Sequence, residues 1–250
     1  MEQTKNQPAQ AEPLEVRVMT FNIRHGKGLN NKVNLERTSN VIKEANVDIV
    51  SLQEVDRYLP RSGFNDQIGR LAKNLKMYWC FSLSVGRGLS QYGNAILSKH
   101  PILEHHKIYL PGARERRSLL QATIQMGDNS RPLHVITTHL GVTAGERKQQ
   151  FPLILEKLST IKGPAIFMGD LNMDSRDPLL KDMFPAWQKI HLNPPVSTFI
   201  TGKEIDHIYL NCPVMSAKGW TISSEASDHF PVVAQLPLNM IHYSRYVGLT

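Results

Sequence analysis

The chain has 250 residues, 41% of them hydrophobic, with 29 Lys and Arg against 22 Asp and Glu and a formal net charge of +7. That length and apolar content suffice for a sizeable core in one large domain or two small ones. Cys80 and Cys212 are too few for a disulfide scaffold and wrongly spaced for a thiolate zinc site, while a pI of about 9.4 favours polyanionic partners: nucleic acid, anionic lipid or phosphorylated small molecules.

The opening MEQTKNQPAQAEP has no apolar h-region, and no stretch approaches the roughly 20 apolar residues that cross a bilayer. Residues 1–14 read as a flexible, linker-like tail, so the compartment stays open: cytosolic as written, secreted if a signal peptide preceded that segment. EVRVMTFNI (15–23) predicts a strand. NLERTSNVIKEAN (34–46) predicts a helix with Leu35, Val41, Ile42 and Ala45 on one face, and VDIVSLQEV (47–55) a buried strand. A second amphipathic helix is expected over 66–76, then strands over 94–97 and 119–126 with a Pro-, Gly- and Arg-rich connection between them. LHVITTHL (133–140) is another strand, followed by a helix over 144–160 that Pro152 should kink or restart. PAIFMGD (164–170) is a strand, and shorter ones follow at 205–210, 220–222 and 230–236. With no repeat or low-complexity run, the reading is one α/β domain over residues 15–250, in which the apolar stretch 236–249 packs as a closing segment or serves as a surface anchor.

A pattern recurs along these strands: an apolar run, then abruptly a polar residue able to bind metal or move protons. Asn22 follows Met19-Thr20-Phe21, Glu54 follows a strand through Gln53, and His139 follows Val135-Ile136-Thr137-Thr138. Asp170 and Asn172 follow Ala165-Ile166-Phe167-Met168, Asp206 and His207 adjoin Ile205, and Asp228-His229 precede Phe230. Side chains alternate along a strand, so Asp170 and Asn172 point the same way if the extended backbone continues through both. Taken singly, each residue has a bland explanation: a turn Asn, a helix-capping Glu, a core His satisfied by backbone, an Asp at a strand end. Six such ends are hard to attribute to turn chemistry, and in α/β proteins ligands collect where loops present side chains from strand ends. Charge also clusters, with five basic residues and one acid over 57–76 and Arg114, Arg116 and Arg117 around Glu115; a solvated face explains such clusters equally well.

TFNIRHG, SLQEVD, YGNAILSK, TTHL, GDLN, IDHIYL and SDHFPVV, in this order between about residues 16 and 237, resemble the endonuclease/exonuclease/phosphatase superfamily. The resemblance implies a two-sheet α/β sandwich flanked by helices, with the site at one end of the sheets. It implies Glu54 as the central Mg²⁺ (or Mn²⁺) ligand with Asn22 beside it and Asp228 joining, an oxygen set that suits those ions better than zinc. Asp170 would align and deprotonate the attacking water, Asn172 donate to a phosphoryl oxygen, and His229 act as the other base or phosphate binder with Asp206 fixing its tautomer. Which of Asp170 and His229 takes the proton stays open. His139 matches a histidine placed against the phosphate in deoxyribonuclease- and sphingomyelinase-type members, and His207 should face away as a structural residue. Asn94, Arg117 and Arg61 fall at positions near the cleft whose roles vary among subfamilies. The function so implied is a metal-dependent phosphodiesterase, with nucleic acid as the leading substrate and a phospholipid or inositol phosphate as the rival; a non-catalytic polyanion-binding module is remote. The expected state is a monomer with no obligate protein partner.

Overall fold

The computed structural model describes residues 15–112, 115–127, 130–183, 186–212, 214 and 216–237. The expected tail over 1–14, Arg114 and the apolar segment beyond residue 237 lie outside the described residues.

In chain order the elements are β1 (Glu15–Asn22), α1 (Leu35–Ala45), β2 (Ile49–Arg57), α2 (Gln67–Leu75), β3 (Tyr78–Arg87), β4 (Ser90–Ser98), β5 (Ile102–Leu110), β6 (Arg117–Ile124), β7 (Leu133–His139), α3 (Ala144–Ser159), β8 (Ala165–Asp170), β9 (Gln188–Lys189), β10 (Asp206–Leu210), β11 (Lys218–Thr221) and β12 (Val232–Pro237). They build two six-stranded sheets, ordered β11-β12-β1-β2-β4-β3 and β5-β6-β7-β8-β10-β9. Each sheet has one parallel pair at its centre, β1 with β2 and β7 with β8, and antiparallel neighbours on either side. A helix crosses over between the strands of each parallel pair, α1 in one sheet and α3 in the other, as parallel pairing requires.

Burial explains why the central strands read as nearly continuous apolar runs. One face of each sheet contributes Val16, Val18, Ile49, Leu120, Ile166 and Ile208 to a common core between the sheets. The outer face of the first sheet packs Met19, Phe21, Val50 and Leu52 against Ile42 of α1 and Ile68 and Leu71 of α2. The outer face of the second packs Ile136, Phe167 and Tyr209 against Phe151, Ile154 and Leu158 of α3. Strands covered on both faces favour apolar side chains on both. The result is a four-layer sandwich, helix on sheet on sheet on helix.

A buried polar seam crosses the inter-sheet core. Gln53 Nε2 donates to Ser51 Oγ at 2.7 Å and to Thr137 Oγ1 at 3.1 Å, and Ser51 also bonds Thr137. Asn94 Nδ2 donates to the Ser118 carbonyl at 2.9 Å, a second cross-sheet link. Such satisfied polar contacts fix one relative position of two otherwise greasy layers.

Besides the two-residue β9, which was not expected, three features depart from the sequence expectation. β3 was not expected, because its inward positions Cys80, Ser82 and Ser84 are small or polar and give no strong alternation. β5 was missed because it is exposed along almost its whole length and shows no two-residue period. α3 runs without restarting through Pro152, which lies on the exposed side, next to the buried Phe151.

Candidate active site

The C-terminal ends of β1, β2, β7 and β8 converge at one end of the sandwich. Asn22 closes β1, and its Nδ2 donates to Glu54 Oε1 at 3.1 Å and to Asp170 Oδ2 at 2.9 Å. Its Oδ1 accepts from the Arg24 amide at 3.0 Å. With the amide so turned, Asn22 offers hydrogens to the two carboxylates and joins the sheets across the site.

Glu54 sits at an irregularity of β2, where the register with β4 shifts between Leu52 and Val55. Its φ of 58° is left-handed, a conformation that a side chain of this kind adopts only under constraint. That kink turns the carboxylate into the site, where burial pushes its pKa up against the opposing Asn22 hydrogen bond. His25, with Nδ1 4.0 Å from Glu54 Oε2, is itself held below its ordinary pKa by burial and by Arg61.

Asp170 ends β8 and is buried. Its Oδ1 accepts from the Asn172 amide at 2.9 Å; its Oδ2 faces Asn22, His139 Nε2 at 3.3 Å and His229 Nε2 at 3.8 Å. Burial first, and the charge of Asp206 second, push its pKa up to about 7. Gly169 is required beside it, because a Cβ there would collide with the Thr138 carbonyl. The extended backbone does not continue: β8 stops at Asp170, and Asn172 has a φ of 50°. The turn brings the Asn172 amide, not its side chain, to the Asp170 carboxylate, and Asn172 Nδ2 donates to the Leu140 carbonyl at 3.0 Å.

Asp206 lies directly opposite Asp170 on the paired strands β10 and β8. Its Oδ2 accepts from His229 Nδ1 at 2.9 Å and from Thr198 Oγ1 at 2.7 Å. Burial alone would lower the pKa of His229, but the charge and hydrogen bond of Asp206, helped by Asp170 and Asp228, raise it to about 10. On the other side of Asp170, His139 Nδ1 meets Arg117 Nη1 at 3.1 Å, and Arg117 in turn pairs with Glu115 at 2.7 Å. Burial, then the charges of Arg117 and His229, hold His139 well below its ordinary pKa. A guanidinium can only donate, so His139 Nδ1 accepts and Nε2 carries the hydrogen aimed at Asp170.

The remaining expected residues are more dispersed. Asp228 pairs with Arg24 at 3.2 Å. Arg61 holds the buried Asp56 through two hydrogen bonds, at 2.9 and 2.7 Å, and lies over the Tyr92 ring at 5.1 Å. Arg61, Tyr92 and Glu115 line a cavity of about 560 Å³ with Leu59, Pro60 and Val85. Asn94 is buried in its link to Ser118, and His207 Nε2 donates to the Met173 carbonyl, 2.8 Å away, outside the Asp170 cluster. Sequence reasoning assigned no role to Thr198, whose hydroxyl also receives the amides of Ile205 and Asp206, nor to Ser227, whose hydroxyl donates to the Asn22 carbonyl at 2.8 Å. Ser227 and Arg24 lie inside the SDHFPVV and TFNIRHG motifs and were legible there; Thr198 stands eight residues before its partner and has no local signal.

A family model described as the endonuclease/exonuclease/phosphatase family matches residues 19–229. The chain belongs to this family. Among relatives of the family member described here, the uncharacterized protein YbhP of Escherichia coli (strain K12) is 25% identical over 177 residues, spanning 66% of this chain and 70% of its own. A crystal structure of an endonuclease/exonuclease/phosphatase from Beutenbergia cavernae is similar with a TM-score of 0.75 at 24% identity, over 89% of this chain and 71% of that one. The human Nocturnin catalytic domain with bound sulfate matches with a TM-score of 0.69 at 19% identity, over 89% of this chain and 95% of that one.

The family's phosphoesterases typically use a divalent metal, and the donor chemistry here fits one. Glu54 is a carboxylate pushed toward its neutral form by burial, with no full cation bonded to it among the described residues. A hard cation taken up beside it would offset that desolvation with oxygen donors alone. Asp170, Asp206 and His229 also lie close enough together to hold an ion. There the proton that His229 retains competes with a metal for the same ring, so Glu54 is the better candidate.

Proposed function

We propose that this protein is a Mg²⁺- or Mn²⁺-dependent phosphodiesterase that attacks its substrate with an in-line water. The observation that carries this reading is the setting of Asp170: a buried carboxylate with a pKa raised to about 7, flanked by one neutral and one protonated imidazole. A general base works best with a pKa near the working pH, which favours Asp170 over the already protonated His229 as the acceptor of the water's proton. His229, backed by Asp206, supplies positive charge against the phosphoryl oxygens, and His139 presents its Nε2 hydrogen from the other side. Asn172 keeps its turn in place through Leu140 and has a second amide hydrogen for an oxygen of the ester. Glu54, with Asp228 at the same end of the fold, would hold a metal that would supply Lewis-acid polarisation of the phosphoryl group.

Nucleic acid is the substrate class that the charge of +7 favours. A second reading, a phospholipid phosphodiesterase, is favoured by a specific feature: the β3–β4 hairpin carries Val85 and Leu89 exposed at the site end. The test is hydrolysis of supercoiled plasmid, sphingomyelin vesicles, an inositol polyphosphate and bis(p-nitrophenyl) phosphate, each with Mg²⁺ or with chelator. Chelator-sensitive turnover of at least one diester, lost together with metal dependence in Glu54→Ala, is the expected result. If every diester survives intact with Mg²⁺ and with Mn²⁺, the hydrolytic reading falls.

A further inference from the structure

Among the described residues, five of the loops that leave the sandwich at the end where Asn22, Glu54, His139 and Asp170 gather carry an exposed apolar tip. They follow β1, β2 and β7, join β3 to β4, and precede β10. Each one ends in an apolar side chain held out in water: Leu29 is 41% exposed, Phe64 65%, Leu89 74%, Val142 68% and Ile200 51%. Several of these tips are fixed by their own backbones. Leu29 N–H donates to the Glu225 carbonyl at 3.0 Å, Phe64 N–H to Leu59 at 2.9 Å and Ile200 N–H to Asp228 at 3.0 Å. The Val142 carbonyl accepts from Arg147 at 2.7 Å. These are constrained loops that keep their apolar ends exposed, which costs free energy in water unless something receives them.

Three of these loops carry cations within a few residues of the tips. Lys32 stands beside Leu29, Arg87 beside Leu89 and Lys203 beside Ile200, all exposed. We propose that this ring of apolar tips and cations is a docking surface for an anionic lipid bilayer, which seats the site opening against the head-group layer. A fluid bilayer accepts separate tips one by one, and its phosphates meet the cations between them. A protein partner would call for one contiguous apolar patch, whereas these tips stand on five different loops. A polynucleotide would satisfy the cations but has nothing to cover the aliphatic tips of Leu29, Leu89, Val142 and Ile200. No helix among the described residues is long and apolar enough to cross a membrane. The inference deepens the phospholipid reading, but the binding itself needs no hydrolysis.

The experiment is flotation of the full chain, in chelator, with vesicles of phosphatidylcholine containing phosphatidylglycerol and with phosphatidylcholine alone. The parent should float with the anionic vesicles. Phe64→Ser/Leu89→Ser/Val142→Ser/Ile200→Ser should lower partitioning at least about a hundredfold, and Lys32→Gln/Arg87→Gln/Lys203→Gln should lose about fivefold per cation on anionic vesicles only. Leu89→Trp should shift its emission to the blue on vesicles, while Leu103→Trp on the exposed strand β5 should not; this pair reports on docking even if the serine variant folds poorly. A parent that stays at the bottom of the gradient, or a serine variant that floats as well as the parent, overturns the proposal. So does a serine variant that keeps vesicle binding and loses plasmid binding, which would assign the ring to a polynucleotide. Turnover of bis(p-nitrophenyl) phosphate by the serine variant should match the parent, and its absence in both, with flotation intact, would remove the hydrolytic reading and leave the docking surface standing.

Discussion

Two histidines approach the same carboxylate from opposite sides and end in opposite protonation states. His139 Nε2 lies 3.3 Å from Asp170 Oδ2 and His229 Nε2 lies 3.8 Å from it, and both rings are buried. The difference is behind them. Arg117 stands at the far nitrogen of His139, and Asp206 at the far nitrogen of His229. Burial lowers both, but a guanidinium adds to that effect while a carboxylate outweighs it, so one ring stays neutral and the other holds its proton up to about pH 10. The residue type at a site therefore says less about its charge than the partner on its remote nitrogen does.

The strongest way to break the comparison is to remove what both rings face. Asp170→Asn should lower turnover by roughly 10³-fold or more while leaving metal binding mostly intact; single-turnover kinetics with metal titration will check it, and near-parental activity would show that Asp170 is not the proton acceptor. A smaller effect is expected at Asp206. Asp206→Asn removes the group that raises His229, so turnover should fall about a hundredfold. In the parent, activity should rise as Asp170 deprotonates through about pH 7 and fall only as His229 loses its proton near pH 10. In the variant, the alkaline limb should move down toward the ordinary imidazole value. The stability sign follows the same group: with its folded pKa raised, His229 contributes in full below its unfolded value near 6.5 and loses that contribution as pH rises through about 10. Thermal midpoints measured across pH 6 to 10 should show this fall in the parent and a flatter course in Asp206→Asn.

The mildest change sharpens the other half. Arg117→Met should raise the His139 pKa toward the ordinary value, read by ring-proton NMR, with turnover reduced about tenfold through loss of one charged hydrogen bond. An unchanged His139 titration would mean that burial alone holds that ring neutral.

The amphipathic helices, the central strands and the polar residues at strand ends were all legible in the chain, because each depends on neighbours within a few positions. α1 and α2 were placed within one residue of their observed ends by the spacing of Leu35, Val41 and Ile42 and by the pattern over 66–76. β3 and β5 were not, since one buries small polar residues and the other buries little. The sequence by itself also named Asn22, Glu54, His139, Asp170, Asp206 and His229, which the fold brings to one end of the sandwich. Only the tertiary structure decided how they are used. Asn22 reaches Asp170 across 148 positions, Arg117 reaches His139 across 22 and Asp206 reaches His229 across 23. The left-handed turns of Glu54 and Asn172 depend on the sheets that hold them. Protonation and backbone strain are set through space by whichever groups the fold brings within hydrogen-bonding distance, and local periodicity carries no record of those distances.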